Sequence, residues 1–266
     1  MISRSRIRQV AARAAASGAL QPIVTSSAII DDAGARFVVR AASTLAAKAR
    51  APKEPARLDP LGDYEPELYV GDVGAEHYAL LNKYPVMAEH LLLVTRAAEP
   101  QEQLLGAGDF AAAAALMAEL DWLALYNGGT AAGASQGRKH LQLVPLPLAP
   151  ELDVAVPLEP LIRAGALPFR HAFAPLASAG EMQAQYRELL ARCAIGALSD
   201  GRQTAPYNLL ATRRWMLLVP RRLEHYESIS INALGFAGSL FVRSDTELEL
   251  VRRVGPMAVL RAVTLQ

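Results

Sequence analysis

Between Asn127 and Gln142 the chain gathers residue types that can work on a phosphate ester. The run Tyr126–Gly137 (YNGGTAAGASQG) holds four glycines in twelve positions and leads directly into Lys139–Val144 (KHLQLV), which carries His140 and Gln142. Glycines let a backbone approach a ligand closely and turn its N–H groups toward it. Asn127, Ser135 and Gln136 add side-chain donors. Compact donors of this kind suit a polyphosphate or a developing oxyanion. Lys83, Arg138 and Lys139 supply positive charge that would offset a nucleotide.

KHLQLV reads as a strand, and strand side chains alternate between two faces. His140 and Gln142 therefore point one way, and Leu141 and Leu143 point the other way, into a core. Taken alone, the same residues also fit a packed structural histidine after a plain Gly-rich connection. The loop is not a Walker loop, because G-x-x-x-x-G-K-[ST] is absent. Nor is it a dinucleotide fingerprint, because it precedes a strand and not a helix.

The elements that must position this strand are mixed in type. A helix is expected over 5–20, a turn at 31–34 and a short strand at 36–40. A long Pro- and Ala-rich connection follows over 44–63. Strands are expected at 67–70, 78–83 and 90–95, with a turn at 71–74. Asp109 is placed as the cap of a helix running to about Leu125. Residues 148–180 are rich in proline and loops, with a soft boundary near 165. A helix is expected over 181–198, then strands at 208–211 and 215–219. Ser244-x-x-Glu247 reads as a capping box opening a C-terminal helix, which Gly255-Pro256 breaks. Several strands follow one another without regular helical crossovers, so the expected class is α+β with a mainly antiparallel sheet.

Composition narrows the function. The 266 residues are 52% apolar, enough for a sizeable core, and the net charge of +1 argues against a strongly basic nucleic-acid binder. No run approaches the roughly 20 apolar residues of a membrane span. The single cysteine, Cys193, excludes an internal disulfide framework and is expected to be buried and inert. Histidines stand at 77, 90, 140, 171 and 225, with no i, i+4 pair, so no protein metal site is expected. His90, Trp215 and Phe236 read as structural. The Arg-rich, acid-free N-terminus has the composition of a transit peptide, but a plain helix in a cytoplasmic protein is the preferred reading.

Several motifs together resemble a known family. Tyr126-Asn127-Gly128-Gly129, followed by Ser135-Gln136-Gly137-Arg138-Lys139-His140-Leu141-Gln142, is similar to the signature of the ATP adenylyltransferases. These are the diadenosine tetraphosphate phosphorylases of the histidine-triad (HIT) superfamily. Leu81–Val86 (LNKYPV), His90–Thr95 (HLLLVT), Leu68–Asp72 (LYVGD), Tyr207–Leu210, Trp215–Arg221 and Asn232–Gly238 (NALGFAG) also resemble that family, so the likeness spans about 36 to 242. The chain departs from the motif at one place, Arg138, where the family has its first histidine.

The resemblance implies a HIT-like fold, with an N-terminal catalytic part over 1–165 and a C-terminal part over 166–266 packed into the same fold. It implies phosphorolysis of diadenosine tetraphosphate to ATP and ADP, with His140 as the nucleophile that carries an adenylyl group. Gln142, not a third histidine, marks the transferase and phosphorylase branches and would donate to the α-phosphate. Lys48, Asn82, Lys83, Asn127, Gly128, Ser135, Gln136 and Arg138 are the expected nucleotide and phosphate contacts. Diadenosine polyphosphates, ATP, ADP and phosphate are the expected partners, with magnesium arriving on the nucleotide and no covalent cofactor. Related HIT transferases acting on a nucleoside diphosphate or an adenylyl sulfate, or a dinucleotide sensor impaired at Arg138, are the alternatives. A core of this size is compatible with a monomer.

Overall fold

The computed structural model describes residues 2–42, 58–118 and 121–266. Lys48 and most of the long connection lie outside the described residues.

The centre is an eight-stranded sheet built from β3 (Tyr69–Val73), β4 (His77–Leu81), β5 (Leu91–Thr95), β6 (Trp122–Gly128), β7 (His140–Pro145), β8 (Ala172–Pro175), β9 (Tyr207–Ala211) and β10 (Trp215–Pro220). Their order is β3-β4-β5-β7-β6-β9-β10-β8, and every neighbouring pair is antiparallel. Strands from both halves of the chain thus share one sheet, and β7, which carries His140, lies inside it.

Each face is covered differently. On one face, helices α1 (Arg4–Ser17), α2 (Ala107–Ala118) and α4 (Met182–Arg192) pack Ile7, Val10, Phe110, Leu116, Tyr186 and Leu189 onto alternate strand residues such as Leu93, Tyr126, Leu141 and Leu143. The short helix α3 (Glu159–Arg163) contributes Ile162 to the opposite face. That face also receives a three-stranded sheet of β1 (Thr25–Asp32), β2 (Ala35–Ala42) and β13 (Ser239–Val242), ordered β1-β2-β13 with β13 parallel to β2. Phe37, Val39 and Leu240 meet Leu123, Leu125, Leu210 and Leu217 there, and α5 (Asp245–Val254) and α6 (Pro256–Ala262) close the layer. A small hairpin, β11 (His225–Tyr226) and β12 (Ile229–Ser230), pairs with neither sheet but adds Ile229 to the same core. Among the described residues no helix is long and apolar enough to cross a membrane.

The expected class holds, and several local readings are corrected. The helix expected to reach Leu125 ends at Ala118, and Trp122–Gly128 is strand β6. A run apolar at every position fits a buried helix or a strand buried on both faces. Pairing decides for the strand, because Trp122, Ala124 and Tyr126 enter one core and Leu123 and Leu125 the other. Asp109 does not cap α2 from outside but sits in its first turn, where its carboxylate accepts the Gly106 N–H at 2.7 Å. The turn expected at 71–74 falls later, since β3 runs to Val73. The 31–34 turn is a two-residue hairpin between β1 and β2, with Ala33 and Gly34 at φ 49° and 79°. Strand β1, paired along its length with β2, has no counterpart in the sequence reading. The box at Ser244 forms. Its hydroxyl accepts the Glu247 N–H, and the Glu247 carboxylate takes the N–H of Arg243, one residue before the cap.

Candidate active site

Where the second layer stops short of β4, β5 and β7, a cavity of about 560 Å³ opens, lined by His140 and Gln142 on its floor. That volume suits a nucleotide-sized ligand. Apolar side chains, including Leu61, Tyr64, Leu80 and Leu92, form one wall, and residues 230–235 with 239–241 form the other.

His140 is 4% exposed, and its position is set from three directions. β7 pairs with β5 and β6, and Leu141 and Leu143 anchor the far side in the core. The buried amide of Gln101 accepts the His140 N–H at 2.9 Å and donates to the carbonyls of His140 and Asn127. The ring itself is held through Nδ1, 2.9 Å from the Arg138 carbonyl. A carbonyl only accepts, so Nδ1 carries the proton and Nε2 keeps its lone pair. Desolvation by burial pulls the imidazole below its ordinary value, partly opposed by the Arg138 hydrogen bond, so the ring is neutral at pH 7. A neutral imidazole with Nε2 unprotonated is a nucleophile at that pH.

Gln142 is oriented by a short relay. Asn82 Nδ2 donates to His90 Nδ1 at 3.2 Å, so His90 carries its proton on Nε2 and donates to Gln142 Oε1 at 2.9 Å. Burial pushes His90 down to about 4, which keeps the relay neutral and its direction fixed. With its oxygen engaged, Gln142 presents its amide N–H groups to the cavity. That makes Gln142 a donor whose state does not change with pH.

Ser135, Gln136, Asn127 and Lys83 also line the cavity. Lys83 Nζ lies 2.6 Å from Glu65 and 5.5 Å from the centre of the Tyr84 ring. Asn127 has a structural duty there. Its Oδ1 accepts from Asn208 Nδ2 and from the Ala233 N–H, both at 2.8 Å, which pins the far wall to β6.

Two family models match end to end: the Ap4A phosphorylase N-terminal domain over residues 2–164 and the ATP adenylyltransferase C-terminal domain over 165–266. The chain belongs to the Ap4A phosphorylase family. Among curated relatives from Saccharomyces cerevisiae, Protein APA1 is 31% identical, and diadenosine 5',5'''-P1,P4-tetraphosphate phosphorylase 2 is 30% identical. Each match covers 72% of this chain and 70% of the relative. The crystal structure of yeast Ap4A phosphorylase Apa2 has the same fold, with a TM-score of 0.81 at 24% identity over 99% of this chain and 95% of that one. Its complex with AMP gives 0.81 at 25% identity, covering 99% and 97%.

Of the residues expected at the ligand in the Ap4A phosphorylase reading, Gly128 and Arg138 do not line the cavity, and Asn82 lines it with its amide already engaged. A Cβ at Gly128 would meet the Gln203 amide and the Tyr207 ring, so glycine admits their close approach. The Arg138 guanidinium is turned away and bound to Asp59 and to backbone carbonyls. The Asn82 amide borders the cavity but is engaged with His90 and with the Tyr84 N–H.

Other residues were missed. Gln101 lies in no motif, Arg221 closes the family-like run Trp215–Arg221 with no role of its own assigned, and His90 reads in the sequence as structural alone. Arg221 is 2% exposed, donates to Asn208 Oδ1 at 2.6 Å and to the Ile231 carbonyl at 2.8 Å, and so braces the loop behind the cavity. Burial lowers its pKa to about 9. A polar residue in a prolyl loop or at a strand end gives no local sign of such a partner. Arg213 and Arg214 are exposed and reach Asp121 and Glu159.

Proposed function

We propose that this protein cleaves diadenosine 5',5'''-P1,P4-tetraphosphate by phosphorolysis to ATP and ADP, through an adenylyl group carried on His140. The observation that carries the reading is the fixed tautomer of His140, protonated at Nδ1 toward Arg138 and open at Nε2 beside Gln142. Membership in the Ap4A phosphorylase family supports it, as does the same fold in Apa2 bound to Ap4A, with a TM-score of 0.79.

In the first step the Nε2 lone pair attacks the α-phosphorus of one adenylyl unit. The bond to the bridging oxygen breaks, and ATP leaves with that electron pair. The ring gains positive charge as the N–P bond forms, so the Nδ1–H bond to the Arg138 carbonyl strengthens in the transition state. In the second step an oxygen of inorganic phosphate attacks the same phosphorus, the N–P bond breaks, ADP leaves and neutral His140 is restored. Gln142 would donate to the α-phosphate oxygens in both steps, and Ser135, Gln136 and Lys83 would hold the rest of the chain. Magnesium would arrive with the nucleotide. The cytoplasm is the proposed compartment, with free ATP and ADP as products.

Replacing the motif histidine by Arg138 leaves the essential contact in place, because that contact is made by the main-chain carbonyl. This favours turnover over a sensor. The test is intact-protein mass after mixing with diadenosine tetraphosphate without phosphate. An added adenylyl mass in wild type, absent in His140→Ala and discharged to ADP by phosphate, is the expected result. Tight binding with no adduct would replace the enzyme by a sensor.

A further inference from the structure

Arg138 makes two separate attachments. Its carbonyl holds His140, and its side chain holds something else. Nε and Nη2 donate to Asp59 Oδ2 at 2.8 and 2.5 Å, and Nη1 donates to the carbonyls of Thr95, Arg96 and Ala97 at 3.1, 3.0 and 3.0 Å. A histidine at this position has two ring nitrogens and cannot span both sets of acceptors.

Asp59 opens a tight turn. Its Oδ1 accepts the Gly62 N–H and its carbonyl accepts the Asp63 N–H, each at 2.9 Å. A Cβ on Gly62 would overlap Arg138 Nη2 and Asp59 Oδ2, so a side chain there would have to displace the ion pair. The turn leads straight into one wall of the cavity. Pro60, Leu61, Tyr64 and Glu65 line it together with His140 and Gln142. The wall is then fixed at further points: Tyr78 Oη donates to the Leu61 carbonyl at 2.7 Å, and Tyr64 packs on Tyr69 and Tyr78 at 5.8 and 5.1 Å between ring centres.

We propose that Arg138 is a positioning residue for substrate: through Asp59 its guanidinium seats segment 59–65 as the wall that receives one nucleoside of the dinucleotide, at a set distance from His140. The inference rests on the nucleotidyl-transfer reading for its ligand. A single residue then ties the tautomer of the nucleophile to the wall facing it.

The test uses the full chain in a His140→Asn background, chosen to remove turnover and expected to keep binding. Diadenosine tetraphosphate is titrated by calorimetry into that protein and into versions adding Arg138→Gln, Asp59→Asn, both, or Arg138→Lys. Either single change is expected to weaken binding about tenfold, the double no further, and lysine to recover part of the loss. With His140 restored, KM for the dinucleotide rises while kcat falls far less. Hydrogen exchange of segment 59–65 rises in the same variants. Unchanged affinity, additive losses, or a fall in kcat at constant KM would each overturn the proposal. If the parent protein binds no dinucleotide, the reaction reading fails. Exchange at 59–65 then still decides the seating: a rise supports it and no change overturns it.

Discussion

Lys139 and His140 are adjacent, 3% and 4% exposed, and face opposite sides of the same sheet. On the helical side Lys139 Nζ meets Asp109 Oδ2 at 2.6 Å and Glu99 Oε2 at 3.0 Å, and Asp109 Oδ1 meets His77 Nε2 at 2.8 Å. Burial alone would raise the Asp109 carboxyl. The His77 hydrogen bond and the Lys139 charge overcome that and hold it below the ordinary carboxylate value. On the cavity side His140 is held through one ring nitrogen, and the other is left with its lone pair. Both residues are buried polar groups with firm partners. The lysine's charge is engaged by carboxylates and serves the fold, whereas the histidine keeps one reactive atom and serves chemistry.

The largest effect should come from His140→Asn. Adenylyl transfer is expected to fall by at least about 10³, with dinucleotide affinity within about threefold of wild type, as measured by rapid quench and calorimetry. A matching loss of affinity would instead make His140 a binding residue. Lys139→Met should act on stability, because it leaves Asp109 buried without its cation. Urea unfolding is expected to show a loss of about 3 kcal/mol, and adding Asp109→Asn should recover much of it. The transfer rate per folded molecule should change much less than in His140→Asn, and equal losses would erase the contrast between the two faces.

Gln142→Leu keeps the size of the side chain and removes the donor. A kcat decrease of about 10² with little change in unfolding midpoint is expected. Intact kcat would mean that the Asn82–His90 relay serves packing alone.

The smallest effects are in pH. Desolvation holds His140 below the ordinary histidine value, so activity should persist below pH 6.5 and fall only as the ring protonates in more acid solution. His90, down to about 4 in the fold, binds fewer protons there than in the unfolded chain between pH 6.5 and about 4. Its contribution to stability is therefore complete above pH 6.5 and is lost as pH falls through that window. His90→Gln should flatten that part of the stability profile, as read by denaturant midpoints across pH.

What the chain shows without its fold is what depends on near neighbours. Period-two alternation put His140 and Gln142 on one face with Leu141 and Leu143 behind them, and the structure keeps that division. The Ser244 box, the strands around residues 212–214 and the break at Gly255-Pro256 are equally local, because each is set by contacts a few residues apart. The tertiary structure decided whatever needed a distant partner. Trp122–Gly128 became a strand because β7 and β9 flank it. Gln101 reached the backbone of His140 across 39 positions, and Arg138 reached Asp59 across 79. A side chain's type states how many hydrogen bonds it must make, but only the folded chain determines which groups supply them.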